Sequence, residues 1–517
     1  MAKEMNSVPS VAKNLVIRAD AGTEIGTGHV MRCLALAQAW QDAGGQAIFA
    51  MATKAPNLES RLKSEGIEVV HLAVEPGSVE DATATASLAQ EAGATWIAAD
   101  GYRFDTRYQR MVKGCGARLL MMDDYGHADR YHADVILNQS ANGNEDFYEK
   151  IESYTSLLLG PRYALLRREF LKWRGWSRET PEVGHKLLVT LGGSDPDNIS
   201  LKVIDSIKML SHSDLEVKII AGPSNMHVSG LKHTIYERSV NGQRSTVNIS
   251  LLSAPHNIPE LMAWADLAIS AAGITCWELA FMQLPALLLV VADNQNCVAD
   301  RLEVAGAAIN LGRQSAVSPP GISRVLLRLL RDRGEREAMA RSGRNLVDGE
   351  GAARVVKCLQ GGGMELRPAS VDDCRLLWKW ANDPETREVS FSPESIKWED
   401  HVKWLESKLG DPDCVFLVAS NGAGTSIGQV RFDVDGGEAI ISVSVDKGFR
   451  KRGYGNRIIR LACGKVFETA RIGSIHAYVK EGNYGSAKAF SKAGFKRSGI
   501  CIVKGQKALH FVLERPR

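Results

Sequence analysis

His29 closes the run Ile25-Gly26-Thr27-Gly28-His29 and opens Val30-Met31-Arg32. Glycines at 26 and 28 let backbone approach a ligand closely. The helix that follows presents unpaired N–H groups and a positive dipole end. A histidine in that first turn is biased toward its neutral form, which is the form a general base needs. Arg32 lies one turn further, on the same side as His29, and suits a phosphate or a carboxylate. Many nucleotide-type glycine loops carry a histidine incidentally, so the remainder of the chain has to decide.

Two further loops offer similar chemistry. Leu191-Gly192-Gly193-Ser194-Asp195-Pro196 follows an apolar strand, and its N–H groups and the Ser194 hydroxyl can hold phosphate, although a structural turn looks the same. Ile269 to Glu278 again reads strand, small-residue loop, helix. There the loop at Ile274 and Thr275 can cradle a diphosphate while Glu278 reaches ribose hydroxyls, the plainer alternative being a carboxylate that complements the helix dipole. Asn294 and Gln295 follow the next strand, at the carboxyl edge where such sheets bind ligands, and their amides suit sugar hydroxyls or acetamido groups. Asp123-Asp124 could tempt a divalent cation, but an acidic pair ending a strand is read here as a cap and loop anchor.

A different site is written near the C-terminus. Ile441 to Val445 alternates as a half-buried strand and feeds Asp446-Lys-Gly-Phe-Arg450-Lys451-Arg452-Gly453-Tyr454-Gly455-Asn456, then an apolar-periodic helix. Successive N–H groups at a helix start, flanked by basic side chains, suit a pyrophosphate, with a solvated basic turn as the alternative.

The elements that must position these loops follow from the patterning. From Asn14 to about Leu165, β-rich runs such as Ala47–Met51, Trp96–Asp100 and Arg118–Asp123 alternate with helical patterns, predicting βαβ units around a parallel sheet. The pattern restarts at Lys186–Leu191 and continues through Val217–Ala221, Leu267–Ser270 and Leu287–Val291. The fold expected is α/β: two Rossmann-like halves at 14–165 and 166–359 with a cleft between them, then a separate α+β domain at 364–517. Gln360-Gly361-Gly362-Gly363 reads as the hinge, and Asn421-Gly422 and Gly436-Gly437 as turns between the antiparallel strands beyond it.

Composition bounds the rest. A chain of 517 residues exceeds one hydrophobic core, and 44% apolar residues is ordinary for a globular protein. With 63 Lys and Arg against 60 Asp and Glu, and no basic block, nucleic-acid binding is not expected. Nine scattered cysteines without a C-x-x-C pair predict reduced thiols, neither a disulfide framework nor a zinc site. Residues 1–13 lack the apolar core of a signal peptide, and Pro285–Ala292 is a buried strand too short to span a bilayer, so a cytoplasmic protein without membrane contact is expected. Oligomeric state is not legible.

Residues 14 to 355 resemble the UDP-sugar hydrolases of the pseudaminic acid pathway. The matching signatures are Arg18-Ala-Asp20, Gly28-His29-x-x-Arg32, Asp123-Asp124, Leu137-Asn-Gln139, Leu159 to Arg167, Gly192 to Pro196, Trp277-Glu278-Leu279 and Asn294-Gln295. That resemblance implies the two-Rossmann GT-B fold and metal-independent removal of UDP from 2,4-diacetamido-2,4,6-trideoxy-β-L-altropyranose, by water attack at the anomeric carbon with C–O cleavage and inversion. It implies that His29 activates the water, that Asp20 helps position the site, and that no cofactor is needed. Residues 364 to 513 resemble GNAT acetyltransferases through Arg450-x-x-Gly453-x-Gly455, Asn483-x-x-Ser486 and Lys492-Ala-Gly-Phe495. There the resemblance implies acetyl-CoA as co-substrate, with Val443 to Val445 binding the pantetheine arm and 450–456 the pyrophosphate. Phe490 stands where many members carry a tyrosine acid; Tyr484 is a substitute to consider, and His476 and Asp446 are possible helpers in deprotonating the acceptor. Together the two resemblances imply a bifunctional enzyme that N-acetylates a UDP-linked 4-amino sugar and then hydrolyses the product. The alternatives are a GT-B glycosyltransferase whose GNAT domain acetylates another amine, such as a protein N-terminus, and a non-catalytic sugar-nucleotide sensor.

Overall fold

The structure, a computed structural model, describes residues 14–22, 26–140, 145–152, 155–210, 214–222, 224–240, 247–360, 364–420, 425–450, 454–469 and 472–515. The expected hinge glycines 361–363, the turn at Asn421-Gly422, and Ile25, Lys451, Arg452 and Gly453 lie outside the described residues. The chain divides into two units, Met1–Val356 and Lys357–Arg517, with the boundary inside the helix Gly351–Leu359.

The first unit carries two parallel sheets. Strands β1 (Asn14–Ala19), β2 (Gln46–Met51), β3 (Glu68–His71), β4 (Ala94–Asp100), β5 (Arg118–Met122), β6 (Val135–Asn138) and β7 (Ser156–Leu159) lie in the order β3-β2-β1-β4-β5-β6-β7. Strands β8 (Lys186–Thr190), β9 (Leu215–Ala221), β10 (Val247–Ser253), β11 (Leu267–Ala271), β12 (Ala286–Val290) and β13 (Ala308–Arg313) lie in the order β10-β9-β8-β11-β12-β13. Helices cover both faces, which is why β12 is apolar throughout, β11 is apolar but for Ser270, and both are wholly buried instead of alternating. Each sheet reverses its strand order once, at β1/β4 and at β8/β11, and a doubly wound sheet binds ligands outside the carboxyl ends of the strands at such a point. Strands β6, β7, β10 and β13, at or next to the sheet edges, escape the sequence pattern. The last helix of the first unit packs back on the first half, where a Cβ on Gly351 would lie 2.2 Å from the Ala164 carbonyl oxygen and Arg354 donates to the Arg162 carbonyl.

The second unit is a mixed sheet of β14 (Glu365–Pro368), β15 (Cys414–Ser420), β16 (Ser426–Asp435), β17 (Glu438–Val445), β18 (Ser474–Lys480), β19 (Lys496–Val503) and β20 (Gln506–Glu514), in the order β14-β15-β16-β17-β18-β20-β19. Gly436 and Gly437 join β16 to β17 with φ of 55° and 90°, the left-handed pair a tight two-residue hairpin demands. The helix Tyr454–Thr469 buries Ile458, Ile459, Ala462 and Val466 on one face of the sheet. The helices Cys374–Ala381 and Trp398–Leu409 bury Leu377, Trp380 and Leu405 against Phe416 and Val418. Among the described residues, no helix is long and apolar enough to cross a membrane.

Candidate functional site

A cleft of about 990 Å³ in the first unit is lined by loops of both halves. His29 enters it from the first turn of the helix Gly28–Asp42 that follows β1, and Asp100 ends the neighbouring strand β4 in register with Ala19. The His29 Nδ1 atom lies 2.6 Å from Asp100 Oδ1. Arg32 clamps the same carboxylate, with Nε donating to Oδ2 at 2.6 Å and a terminal nitrogen to Oδ1 at 2.5 Å. Its other terminal nitrogen donates to Asp124 at 2.7 Å. Burial alone would raise the Asp100 carboxyl, but Arg32 and then His29 hold it well below the usual carboxylate range. An ionised Asp100 accepts the Nδ1 proton and so assigns the tautomer, leaving Nε2 with the lone pair.

The network continues across the cleft. Tyr102 donates to Asp124 at 2.7 Å, packs edge-on to His29 with centroids 5.0 Å apart, and accepts from Asn294 of the second half at 2.7 Å. Arg167 makes two bonds to Glu278 Oε1, at 2.8 and 3.1 Å. Burial raises the Glu278 carboxyl while Arg167 opposes it. The loops meet closely: a Cβ on Gly193 would lie 2.5 Å from Thr27 Oγ1, too near without a shift, and one on Gly28 would crowd Ile274 Cδ1 at 3.1 Å. Gly28, Arg32, Gly193, Ser194, Ile274, Thr275, Glu278, Asn294 and Gln295 all line the cleft with His29.

Several expected roles come out differently in detail. Asp20 does not line the cleft; it accepts from Arg18 at 2.6 Å and from the Ala52 and Thr53 N–H groups at 2.7 and 3.0 Å, so it ties the end of β1 to the loop after β2. Arg32 spends its guanidinium on protein carboxylates instead of a ligand phosphate. Asp195 accepts from the Ile199 and Ser200 N–H groups, so the donors available to a ligand in that loop belong to Gly193 and Ser194 and not to the helix start. Gln295 receives the Val291 N–H on its Oε1. Asp123 anchors its loop as read, accepting from Tyr131 and Tyr148, from His127, and from the backbone of Asp124 and Gly126. Among the described residues, no cluster of three His, Cys, Asp or Glu side chains is arranged to hold a metal ion.

A second cavity, of about 540 Å³, lies in the second unit. Strand β17 pairs with the parallel β18 only over Glu438 to Ile440, after which the two strands part. Ile441 to Ser444 on one side and Tyr478 to Lys480 on the other line the opening, with Asn483, Ser486 and Phe490. Asn483 caps the helix Tyr484–Lys492 by accepting from the Ser486 N–H at 3.1 Å. Val443 therefore lines this cavity, whereas Val445, Arg450, Tyr454, Gly455 and Asn456 do not. Arg450 donates to the Val445 carbonyl and to Thr386 and pairs with Asp383 and Glu385. Phe490 is buried against Phe495 and Phe511, and Tyr484 is 84% exposed and off the cavity wall. Asp446 caps a turn and accepts from Trp380, and His476 bonds Ser474 and His510. Neither lines the cavity.

Residues 187–353 match the family described as glycosyltransferase family 28 C-terminal domain, and residues 364–496 match the acetyltransferase (GNAT) domain. An uncharacterized protein of Methanocaldococcus jannaschii is 22% identical over 507 residues, covering 94% of this chain and 97% of its own. The UDP-2,4-diacetamido-2,4,6-trideoxy-β-L-altropyranose hydrolase of Campylobacter jejuni is 24% identical over 294 residues, 56% of this chain and 97% of its own. The chain joins a relative of this hydrolase to a GNAT domain. Among solved structures, MurG of Acinetobacter baumannii is 18% identical, spans 67% of this chain and 99% of its own, and has a TM-score of 0.48.

In the hydrolase-like unit, sequence reasoning missed Asp100 and Tyr102. Both were readable only as the end of a strand and the loop beyond it; the usable signal was a carboxylate at the carboxyl end of the strand before a short loop. In the GNAT domain it missed His401, which lines the cavity from an aromatic-rich helix.

Proposed function

We propose that the protein is bifunctional, acetylating a UDP-linked 4-amino sugar with acetyl-CoA and hydrolysing the resulting UDP-2,4-diacetamido-2,4,6-trideoxy-β-L-altropyranose to free sugar and UDP. The observation that carries the hydrolytic half is the His29–Asp100 pair, held by Arg32 and facing the loops of the second half across one cleft. In this reading His29 Nε2 takes a proton from water as the water oxygen attacks the anomeric carbon. The bond from that carbon to the diphosphate oxygen breaks on the opposite face, and its electron pair leaves with UDP. Asp100 then balances the imidazolium. UDP is a good leaving group, so donors for the departing diphosphate matter more than a protonating acid; Gly193, Ser194, Ile274 and Thr275, which line the cleft, would supply them. Asn294 and Gln295 would read the sugar and Glu278 the ribose.

The acetyl half is supported by the parted β17 and β18 strands and the GNAT match. Backbone groups of Val443 to Val445 would take the pantetheine arm, and 450–456 the pyrophosphate. Placing consecutive steps on one chain raises the effective concentration of the intermediate. The reaction would run in the cytoplasm, where both co-substrates are made. The test is NMR of the purified protein with the UDP-linked 4-amino sugar and acetyl-CoA. N-acetylation should precede UDP loss, and the first free anomer should be the inverted one; retention at the anomeric carbon would sink the mechanism.

The family 28 match favours one second reading, a glycosyltransferase that uses a sugar acceptor in place of water. With UDP-sugar alone, a transferase would release little UDP.

A further inference from the structure

The cavity of the GNAT domain contains hydrogen-bonding groups that the protein itself leaves unsatisfied. His401, in the helix Trp398–Leu409, is 1% exposed and lines the cavity, yet among the described residues no hydrogen bond satisfies its Nε2. The Cys374 backbone is the polar neighbour that acts on the ring. Gln429, reaching the same cavity from β16, has its Oε1 buried without a partner while its Nε2 contacts Ser444. Burying an acceptor without a donor is costly, so two in one cavity mark a place where a ligand completes the bonding.

The ring of His401 is held in place by aromatic packing. Trp398 stacks near it with centroids 6.5 Å apart, and Trp404 lies 5.4 Å away on the other side along the helix. Burial lowers its pKa, with the Cys374 backbone opposing, which keeps the imidazole neutral and able to accept a proton. The cavity's other titratable groups are less suited to that task. Lys480 donates to the Glu388 and Ser390 carbonyls, Arg387 donates to the Ser392 and Glu394 carbonyls, Arg431 pairs with Asp433, Asp400 is an exposed carboxylate on the same helix, and Tyr478 stacks on His510.

We propose that His401 is the base that takes the proton from the acceptor ammonium in the acetyl-transfer reaction, with Gln429 Oε1 accepting a second N–H or O–H of the acceptor. This rests on the reading of the unit as an N-acetyltransferase. The acceptor R–NH3+ gives one proton to His401. The neutral amine attacks the thioester carbonyl, the C–S bond breaks, and the sulfur leaves as thiolate. The nitrogen, still carrying two protons, gives one to that thiolate, so amide and CoA thiol form and the His401 proton passes to solvent. No tyrosine acid is required, which accords with Phe490 at that place.

The test uses the full chain with acetyl-CoA and the UDP-linked 4-amino sugar, following CoA thiol release against pH. H401A should lower kcat/KM for the amine by about 10²–10³-fold while leaving unchanged the KM for acetyl-CoA and, with the diacetamido UDP-sugar supplied directly, UDP release by the other unit. Added imidazole should restore part of the rate. H401Q should have the acidic limb of its profile moved up from the imidazole range to the pKa of the acceptor amine, because only amine already deprotonated by solvent can then react. A wild-type profile in H401Q, or an H401A rate within twofold of wild type, would overturn the proposal, as would a loss in H401A that imidazole does not restore while acetyl-CoA binding is intact. If the wild-type chain ignores the amino sugar but acetylates a peptide amine or spermidine, the acceptor assignment fails, and His401 is judged by the same variants on that amine.

Discussion

The two cavities of this protein handle polar groups in opposite ways. In the cleft of the first unit, His29, Asp100, Arg32, Asp124, Tyr102 and Asn294 form one connected chain of hydrogen bonds before any ligand arrives. In the GNAT cavity, His401 and Gln429 each leave an acceptor atom unsatisfied. A site that must orient a water against a sugar gains from a base whose tautomer and angle are set in advance. A site that must receive an ammonium gains from acceptors with nothing else to bind. The contrast also explains why glycines crowd the first cleft, where loops of two halves touch, while the second opens simply because two parallel strands part after three paired residues.

The comparison breaks most sharply at His29. Replacing it by Ala should cut UDP release by roughly 10³–10⁴-fold, near the upper range of what a positioned base supplies, while N-acetylation continues. Retained UDP release would remove the base from the reading. Asp100→Asn should come next, with a loss on the order of 10³-fold, because an amide can donate to Nδ1 and favour the wrong tautomer. The same change leaves buried Arg32 short of a counter-charge, so thermal unfolding should show destabilisation of about 3–5 kcal/mol.

A third variant asks whether the satisfied network extends beneath the cleft. Burial would raise the Asp123 carboxyl, but His127, then Tyr131 and backbone N–H groups, bring it down to about 2. A folded value below the unfolded one stabilises above the unfolded pKa, so that stability is complete above roughly pH 4 and lost as pH falls toward 2. Asp123→Asn should therefore cost roughly 2 kcal/mol at neutral pH and flatten the acid limb of a urea-unfolding series, and an unchanged limb would show that the carboxylate is not held as described. Asn294→Ala removes one bond between the halves and should cost about 1 kcal/mol, a factor of about five in kcat/KM for the UDP-sugar. The smallest expected effect is none: EDTA should leave UDP release unchanged, and inhibition reversed by a divalent cation would mean that Asp123 and Asp124 were misread.

The fold was legible wherever an element was long or strongly patterned. Strands β1, β4, β8 and β12 are largely apolar runs, each followed by a helical stretch, and the glycine pair at 436–437 announces its own hairpin. The site was legible where chemistry sits on a loop: Gly28-His29, Gly193-Ser194 and Asn294-Gln295 all reach one cleft. Strands β19 and β20 escaped, since their burial follows from pairing with each other and with β18 more than from strict alternation. Asp20, two residues from the buried Arg18, was drawn toward the site by its sequence neighbours, whereas its carboxylate answers to Arg18 and to two N–H groups more than thirty residues away.

By itself the sequence determined the architecture of paired Rossmann-like halves and a following GNAT domain, and it named His29, because helix starts, glycine loops and strand periodicity are local properties of the chain. Only the tertiary structure decided that His29 has Asp100 as its partner, 71 residues away, and that His401 lines a cavity with an acceptor atom unsatisfied. Tautomer and proton affinity depend on which charges and which dry surfaces come within a few ångströms, and chain folding sets those distances without regard to separation along the sequence.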